Sequence, residues 1–459
     1  MSATWTVETL ARDLASGRSS SRELVEQALA RIADPAGEGV RAVLKVYADS
    51  ARADAEHADR LRKAGIVRSP VDGLPITVKD LFDVGGDVTR AGSKLLADAP
   101  PAAADAPAIA RLRAAGAVIV GRSNMVEFAF GAVGLNPHYG TPKNPWDRKT
   151  ARVPGGSSSG AAVAVADGMC VMGLGSDTRG SIRQPAALCG VAGFKPTARR
   201  VPREGAFPLS YTLDSVGPLA NTVACCAAYD AVLAGEPAVP TSAPLAAQLA
   251  DLPARGLRLL LPRSSALEEL DPQVAKAFES SLAALSRAGA LIEERKLPAF
   301  DRQDQYFRNG GFAAAEAYAI HRRWSARFGE YDARVAKRVV LGKDITAWEY
   351  VELGLLRAAT MKEVGALLAL FDAFLIPTTP CVAPAIAEAG ASDEAYFRWN
   401  ARILRNTGLI NFLDGCAATL PCHAPGEAPV GMMVCGAAMT DRQVLAAAQA
   451  VESVLRKRA

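Results

Sequence analysis

The chain has 459 residues, of which 50% are hydrophobic and 22% are charged. Such a chain is predicted to form one very large globular domain or two to three ordinary ones, and a disordered or fibrous protein is excluded. Lys and Arg total 52, Asp and Glu total 48, and the net charge is +4, so nothing indicates binding to nucleic acid.

The N-terminal segment MSATWTVETLARDLASGR carries charges where a signal peptide needs an apolar stretch. No run of about 18 apolar residues occurs, as a membrane-spanning helix would require. We therefore expect a cytoplasmic protein that is not exported and does not bind membranes. The cysteines form no C-x-x-C pair, so we expect them to be buried thiols. The four histidines lack the spacing of a metal site, so we expect no metal site. The cysteines are Cys170, Cys189, Cys225, Cys226, Cys381, Cys416, Cys422 and Cys435, and the histidines are His57, His138, His321 and His423.

Five segments follow one another along the chain. Residues 1–65 are predicted to be helical and to pack on the core, because Ser20 to Glu23 matches a capping box and is followed by Leu24, Ala28 and Ile32. Segment 66–235 alternates apolar strands with glycine-rich turns, and 236–256 is rich in Pro and Ala, as a linker is. Segment 257–380 is expected to be α/β and helix-rich and to cover a pocket. Segment 381–459 is expected to complete the core.

A helix–glycine–strand unit recurs in the sequence. It occurs at 106–120, with Gly116 before AVIV, and at 272–292, with Gly289 before ALI; a third helix precedes AFLIP near Pro377. Asp271 and Pro272 are placed to open the second of these helices. Alternating helices and strands predict an α/β fold in which helices cover both faces of a sheet.

Two glycine–serine loops are the strongest candidates for a site. The first is Gly155 to Gly160 (GGSSSG), and the second is Gly175 to Ser181 (GSDTRGS), preceded by the apolar stretch CVMGL. One helix and one strand separate the loops, so Ser157 and Ser181 are predicted to meet at the carboxyl edge of the sheet. Lys79 follows LPITV and is predicted to lie at the same edge, although a lone lysine there is more often a surface residue.

Other interpretations of the two loops remain open. Gly156 to Gly160 matches the G-x-S-x-G spacing of a nucleophile elbow, but the preceding NPWDRKTARVP does not predict a strand, and His423 alone lies in the right order to be a triad partner. Gly175 to Gly180 has the spacing of a phosphate loop, but Ser181 stands where that loop requires lysine. Either loop alone is also compatible with a simple tight turn.

Several long blocks resemble the amidase signature family. They are GLPITVKDLFDV, GRSNMVEFAFG, NPHYGTPKNPWD, PGGSSSGAAVAVADG, GSDTRGSIRQPAALCGVAGFKPT, DSVGPLA, LIPTTP and PVGMMVCG, in this order. The chain is most similar to glutaminase-type subunits of tRNA-dependent amidotransferases and to carboxybiuret-hydrolase-like amidases. The resemblance implies the amidase signature fold, a large mixed β-sheet core covered by helices on both faces, and it implies no metal or organic cofactor.

The resemblance also assigns roles within the site. Ser181 is the expected nucleophile, Ser157 the serine that follows a cis peptide, and Lys79 the base. A lysine acts as a base only when neutral, so its pKa must fall from about 10.4 towards 7–8. Burial, together with the helix N-terminus beside Ser157, is expected to lower it. The backbone amides of four residues are expected to bind the oxyanion: Thr178, Arg179, Gly180 and Ser181. Each such hydrogen bond typically lowers the reaction barrier by ~3 kcal/mol.

Further residues are expected to bind substrate or to support the site. Candidates for substrate binding are Arg179, Ser158 and Met125, and candidates for structural support are Asp177, Arg183 and Gly156. Arg179 departs from the small residue that many family members have. Its side chain either points to solvent or enters the acyl pocket, where it would favour a substrate carboxylate or carbonyl oxygen.

The predicted function is that of a serine amidase. It would hydrolyse the C–N bond of a small carboxylic or ureido amide to an acid plus ammonia or amine, through an acyl-enzyme. One alternative is a glutaminase subunit that delivers ammonia to a partner, and a second is a catalytically silent binding protein on this fold. Expected partners are a small amide substrate and a second copy of the chain or a small partner subunit. In segment 305–370, packing is the simpler interpretation of Trp324, Trp348, Tyr350 and Arg357.

Overall fold

The computed structural model describes residues 5–236 and 252–457, and within them eleven strands form a single sheet. The strands are β1 (Val43–Val46), β2 (Pro75–Lys79), β3 (Val118–Ser123), β4 (Met172–Asp177), β5 (Ala192–Lys195), β6 (Ser215–Ala220), β7 (Arg258–Arg263), β8 (Leu291–Lys296), β9 (Ala373–Pro377), β10 (Cys416–Pro421) and β11 (Gly431–Gly436). Their order in the sheet is β1-β3-β2-β4-β6-β5-β10-β11-β9-β7-β8.

The sheet is mixed. Strand β2 runs parallel to β3 and β4, and β7 runs parallel to β8 and β9. The strands between these two parallel groups pair antiparallel. Every residue of β2, β3, β4, β6, β9 and β11 is buried. Because successive side chains of a strand point to opposite faces, both faces of the central sheet are covered, as the sequence predicted.

The helices that cover the sheet alternate with the strands along most of the chain. They are α1 (Val7–Ala15), α2 (Ser21–Ala33), α3 (Gly39–Ala42), α4 (Ala48–Lys63), α5 (Pro107–Ala114), α6 (Ser159–Ala166), α7 (Arg183–Cys189), α8 (Val223–Ala234), α9 (Pro272–Arg287), α10 (Gln303–Tyr306), α11 (Gly311–His321), α12 (Ala333–Val340), α13 (Ala347–Leu368), α14 (Ile386–Ala389), α15 (Asp393–Leu404), α16 (Thr407–Phe412) and α17 (Asp441–Arg456). No helix of the described ranges 5–236 and 252–457 is long and apolar enough to cross a membrane.

The predicted start of α2 is confirmed. The Ser20 hydroxyl accepts a hydrogen bond from the Glu23 amide at 3.1 Å, and the Glu23 carboxylate accepts one from the Ser20 amide at 3.0 Å. Leu24, Ala28 and Ile32 are buried in the cluster that also holds the strands of segment 66–235. The capping box therefore sets the beginning of a helix whose apolar face packs on the core.

All three predicted helix-to-strand units are present. Helix α5 leads to β3, α9 to β8, and α13 to β9. Gly116 and Gly289 both have a φ of +90°, the left-handed region that lets a chain leave a helix without a Cβ clash. Helix α9 begins at Pro272 as predicted, but the Asp271 side chain does not cap it. The Asp271 carboxylate instead accepts hydrogen bonds from the Val382 amide at 3.0 Å and from Arg402 at 2.6 Å.

The division of the chain into five segments stays a prediction. Most of the predicted linker 236–256 lies outside the described residues, since these end at 236 and resume at 252. Buried side chains of helices α1, α8 and α17 belong to one hydrophobic cluster, so the beginning and the end of the chain contribute to the same core.

Candidate active site

The carboxyl ends of two neighbouring parallel strands carry the candidate site. Lys79 is the last residue of β2, and the second glycine–serine loop leaves the end of β4. The first loop precedes helix α6, which packs against both of these strands. The Ser158 amide donates a hydrogen bond to the Ser181 carbonyl at 3.2 Å, so the two loops meet.

Lys79 is enclosed beside two serine hydroxyls. Its Nζ atom lies 2.7 Å from Ser157 Oγ and 2.9 Å from Ser176 Oγ, and the side chain is 0% exposed. Burial lowers the pKa of Lys79 to about 7, although the carboxylates of Asp177 and Asp214 act in the opposite direction. At neutral pH a substantial fraction of this amine is therefore uncharged, as a general base requires.

The backbone on either side of Ser157 is closely packed. The peptide bond from Gly156 to Ser157 is cis, and the Ser157 carbonyl accepts a hydrogen bond from the Val126 amide at 3.0 Å. A Cβ on Gly156 would lie 2.9 Å from both the Gly131 carbonyl oxygen and a Val126 methyl carbon. Only glycine fits at 156, because the opposing oxygen belongs to backbone that cannot rotate away.

Ser181 lies in a loop that the Asp177 carboxylate organises from within. Asp177 Oδ1 accepts a hydrogen bond from the Gly180 amide at 2.7 Å, and Oδ2 accepts one from the Ile182 amide at 3.2 Å. Gly180 has a φ of +126°, which L side chains rarely adopt. The Asp177 carboxylate and Gly180 together fix the conformation of the turn that carries Ser181. Ser181 is 7% exposed.

The expected oxyanion donors differ in their availability. The Gly180 amide is engaged by Asp177 at 2.7 Å, so it already has an acceptor. The Thr178, Arg179 and Ser181 amides make no hydrogen bond to any residue of the described chain. These three N–H groups are therefore the ones in the loop that could donate to an oxyanion.

A buried ion pair supports the loop. Arg183 Nη2 lies 3.0 Å from Asp177 Oδ1, both side chains are 0% exposed, and Asn411 Nδ2 donates to the same oxygen at 2.9 Å. Burial alone would raise the pKa of Asp177, but the Arg183 guanidinium, together with Lys195 and the Asn411 amide, outweighs burial and holds this pKa at about 2. Asn411, in α16, also accepts from Arg183 at 2.6 Å. The C-terminal part of the chain thus stabilises the Ser181 loop.

A cavity of about 370 Å³ reaches this edge of the sheet. Ser176 and Thr178 line one side, and segment 203–216 lines most of the rest. The Thr178 hydroxyl donates to Asp214, whose carboxylate also accepts the Leu209 and Ser210 amides at 2.9 and 3.0 Å. These bonds join the wall of the cavity to the Ser181 loop.

The helix-rich segment 305–370 supports the cavity wall, although not through all of its aromatic residues. Glu316 of α11 accepts hydrogen bonds from the Ser210 and Thr212 hydroxyls and from Tyr350 at 2.6 Å. Trp324 stacks on Phe207, which lines the cavity. Arg357 donates to the Phe412 carbonyl at 2.7 Å, and Trp348 is 61% exposed on the surface.

Two of the three candidate substrate-binding side chains are fully buried. Met125 is 0% exposed in the core, packed against Gly92. Ser158 is also 0% exposed, at the N-terminal end of α6, with its hydroxyl 3.5 Å from the Ser176 carbonyl. Arg179 is half-buried, and its guanidinium carbon lies 3.7 Å from the centre of the Phe307 ring.

Sequence reasoning did not single out several residues that touch the site. Ser176, Asp214, Asn411 and Glu316 all belong to it through their hydrogen bonds. Ser176 and Asp214 lie inside or beside recognised blocks, GSDTRGS and DSVGPLA, which was a usable signal. Asn411 and Glu316 lie in helices without a comparable pattern, so the sequence offered no signal for them.

Outside this site, the described residues bear on the metal-site, cysteine and histidine expectations from the sequence. Within the described ranges, no group of three or more His, Cys, Asp and Glu side chains could hold a metal ion. All eight cysteine side chains are buried, as predicted. His423 contacts the Val430 backbone at 3.2 Å, and no hydrogen bond joins it to either serine loop of the described chain.

Comparisons with known proteins agree with the resemblance seen in the sequence blocks. A family model described as Amidase matches residues 23–445. The 2-amino-5-chloromuconic acid deaminase of Comamonas testosteroni is 36% identical over 413 residues, covering 88% of this chain and 86% of that protein. One of the subunits of the glutamyl-tRNA(Gln) amidotransferase of Chloroflexus aggregans is 35% identical over 474 residues, covering 96% of this chain and 94% of that protein.

The fold comparison leads to the same group. A crystal structure described as that of an amidase is 33% identical to this chain, with a TM-score of 0.85. The alignment covers 98% of this chain and 100% of that one. The fold class expected from the sequence, a large mixed sheet covered by helices, is confirmed.

Proposed function

Because this chain belongs to the amidase family and is an amide-hydrolysing enzyme, we propose that it acts through a Ser181–Ser157–Lys79 triad and a serine acyl-enzyme. The observation that carries the proposal is the buried Lys79 amine, 2.7 Å from Ser157 Oγ, with its pKa lowered to about 7. A serine hydroxyl is a weak nucleophile, and a neutral amine in hydrogen-bond reach of a second serine supplies the base that it needs.

The acylation half-reaction uses two proton transfers. Ser181 Oγ attacks the amide carbon and gives its proton to Ser157 Oγ, while Ser157 gives its own proton to neutral Lys79. The tetrahedral intermediate carries the negative charge on the former carbonyl oxygen, where the Arg179 and Ser181 amides can donate hydrogen bonds. The C–N bond then breaks, the protonated Lys79 returns a proton through Ser157 to the leaving nitrogen, and ammonia or an amine departs.

The deacylation half-reaction repeats the same transfers with water. A water molecule attacks the ester carbon and passes a proton through Ser157 to Lys79. The bond from the carbon to Ser181 Oγ breaks, Ser181 regains a proton, and the carboxylic acid leaves. Each step balances with the groups named, so the proposed reaction needs no metal or organic cofactor.

A second candidate function is supported by one comparison. The relative from Chloroflexus aggregans, which spans 96% of this chain, carries the name of an amidotransferase component. This chain could in the same way hand ammonia to a partner, such as a small subunit, while using the same triad. A homodimer is the simplest alternative assembly. A binding protein without catalysis is less well supported, because the Lys79 amine contacts Ser157 and the backbone of the Ser157 loop is bonded to that of Ser181.

We also propose a cytoplasmic location. The support is the use of cysteine in this chain: all eight side chains are buried thiols, which suits a reducing compartment.

The test is ammonia release from a panel of small aliphatic, aryl, dicarboxylic and ureido amides by the purified chain. Wild type is compared with Ser181→Ala and Lys79→Met. We expect turnover by wild type and a loss of roughly 10⁴-fold or more in each variant. Turnover that survives Ser181→Ala would refute the nucleophile assignment. If the chain is active only after a co-purifying protein is added back, the amidotransferase-type function is favoured.

A further inference from the structure

Two arginines beside the candidate site lack a carboxylate partner. Within the described chain, neither Arg179 nor Arg338 has an Asp or Glu oxygen within 4.0 Å, whereas Arg183 nearby is paired with Asp177 at 3.0 Å. A partly buried guanidinium without a counter-ion is unfavourable, because transfer of its charge from water is not compensated. This arrangement is explained if an anion from outside the protein completes it.

Arg179 projects from the oxyanion loop itself. Its guanidinium carbon lies 3.7 Å from the Phe307 ring centre, and its Nε atom is buried without a hydrogen-bond partner in the described chain. Its carbonyl is held by the Thr407 hydroxyl at 2.6 Å and by Gln184 at 3.0 Å, so the backbone position of the residue is fixed. A Cβ on Gly408 would lie 3.3 Å from Nε, which leaves little room for another orientation on that side.

Arg338 of α12 approaches from the side of the Ser157 loop. Its Nη1 donates to the Phe130 carbonyl at 2.8 Å, and its guanidinium carbon lies 4.1 Å from the Phe130 ring centre. Phe130 is connected to the catalytic loop through Ala132, whose carbonyl accepts the Gly156 amide at 2.7 Å. Arg179 therefore belongs to the Ser181 loop, and Arg338 is linked to the Ser157 loop through residues 130–132.

Both arginines lie in surroundings that disfavour their positive charge. Burial lowers the pKa of Arg179 to about 9, and the charge of Arg338 acts in the same direction. Burial also lowers the pKa of Arg338. A carboxylate bound at Arg179 would relieve the unfavourable effects of burial and of the Arg338 charge on this guanidinium.

We propose that Arg179, assisted by Arg338, binds a carboxylate of the substrate, so that the enzyme prefers amides whose acyl part is itself an acid, such as monoamides of short dicarboxylic acids. The carboxylate belongs to the acyl part because a primary amide has only ammonia as its leaving group. The inference rests on the proposed function, since it concerns the same site. Arg179 is thereby a specificity-determining residue, separate from the bond-breaking groups.

The kinetic test uses pairs of amides that match in length. Succinamate is compared with butanamide, and malonamate with propanamide, by kcat/KM for ammonia release. We expect wild type to favour the acid of at least one pair by roughly tenfold to a hundredfold, the range expected for a hydrogen bond to a charged group. Arg179→Gln is expected to remove most of that preference, measured as the ratio of kcat/KM for the acid to kcat/KM for the neutral amide of the same pair.

Matched variants separate charge from fold. Arg327→Gln removes an arginine that is 49% exposed in a surface ion pair with Glu330. This change should leave the ratio of kcat/KM for the acid to kcat/KM for the neutral amide unchanged. Arg179→Lys keeps the charge and should retain part of the preference. Equal rates for acid and neutral amides in wild type, or an equal fall for both in Arg179→Gln, would overturn the inference while leaving the triad standing.

A binding measurement is independent of turnover. Calorimetry with the Ser181→Ala variant and succinate or malonate is expected to show binding of at least one diacid, weakened roughly tenfold or more by a second change, Arg179→Gln. Thermal melting of each variant confirms that it is folded. Undetectable binding of both diacids, or binding that Arg179→Gln leaves unchanged, counts against the carboxylate site even if the amidase activity is confirmed. A chain that binds a diacid through Arg179 but hydrolyses no amide would instead contradict the proposed function.

Discussion

The Nζ atom of Lys79 lies 2.7 Å from Oγ of Ser157, although the two residues are 78 positions apart in the chain. The contact exists because β2 ends at Lys79 while the loop before α6 brings Ser157 to the same edge. Ser176 Oγ, at 2.9 Å, holds the amine from a second side. Each of these three side chains is buried, so the hydrogen bonds are protected from competition with water.

The pH dependence of activity should follow Lys79. Burial lowers its pKa to about 7 from an ordinary value of about 10.4, so the neutral base becomes populated as pH rises through 7. We expect kcat/KM to increase about tenfold per pH unit well below 7 and to level off above about 8. A pH–rate profile from pH 5 to 10 measures both the rise and the plateau, and activity that kept increasing towards pH 10 would contradict the assignment.

Lys79 should also link stability to pH. Between about 7 and 10.4 the unfolded chain binds a proton at this lysine that the folded chain does not, so its contribution to stability rises with pH across that window. Lys79→Met removes this contribution. The free energy of unfolding of Lys79→Met minus that of wild type is therefore expected to be larger at pH 6 than at pH 10. Urea titrations at both values test the sign, and a difference independent of pH would show that the lysine is not buried as a neutral amine.

The serines around Lys79 should differ in importance. Ser157→Ala removes the hydroxyl that relays the proton, and we expect kcat to fall roughly 10³-fold or more. Ser176→Ala leaves the relay intact but frees one side of the amine, and a loss of about tenfold is expected. Ser159→Ala is the matched control, because its buried hydroxyl has no hydrogen-bond partner in the described chain and α6 tolerates alanine. Equal losses in Ser157→Ala and Ser159→Ala would refute the relay.

The ion pair beneath the Ser181 loop should be important for stability. Arg183→Met leaves the buried Asp177 carboxylate without its guanidinium, which is expected to lower the free energy of unfolding by about 3–5 kcal/mol. Arg12→Met is the surface control: Arg12 pairs with Glu8 where both side chains are more than half exposed, so a change below about 1 kcal/mol is expected. Urea unfolding measures both, and comparable effects of the two changes would contradict this account.

Two helical glycines should respond oppositely to alanine. A Cβ on Gly160, in α6, would collide with the Ala42 carbonyl and the Asn124 amide, so Gly160→Ala is expected to destabilise the protein by about 1–3 kcal/mol. A Cβ on Gly365, in α13, meets nothing within 4 Å, so Gly365→Ala is expected to stabilise it by about 0.5–1 kcal/mol. Thermal or urea melting distinguishes the two signs, and stabilisation by Gly160→Ala would show that α6 can move away from its neighbours.

The local elements of this protein were determined by the sequence itself. The capping box at Ser20, the proline at the start of α9 and the glycines before β3 and β8 act through contacts with near neighbours in the chain. The two glycine–serine loops, and the position of α6 and β4 between them, could also be predicted, because these elements follow one another directly in the chain. Asp271 shows the limit, because its side chain bonds Val382 and Arg402 from distant segments and does not cap its own helix.

The chemical character of the site was decided only by the tertiary structure. Lys79 and Lys195 each end a strand and are both fully buried with a lowered pKa, yet Lys79 contacts two serine hydroxyls and Lys195 donates to two backbone carbonyls. Likewise, the sequence left two orientations open for the Arg179 side chain, and the Phe307 ring from a separate segment determined the one observed. Burial and long-range contact set pKa and side-chain direction, and both depend on residues that are distant in sequence.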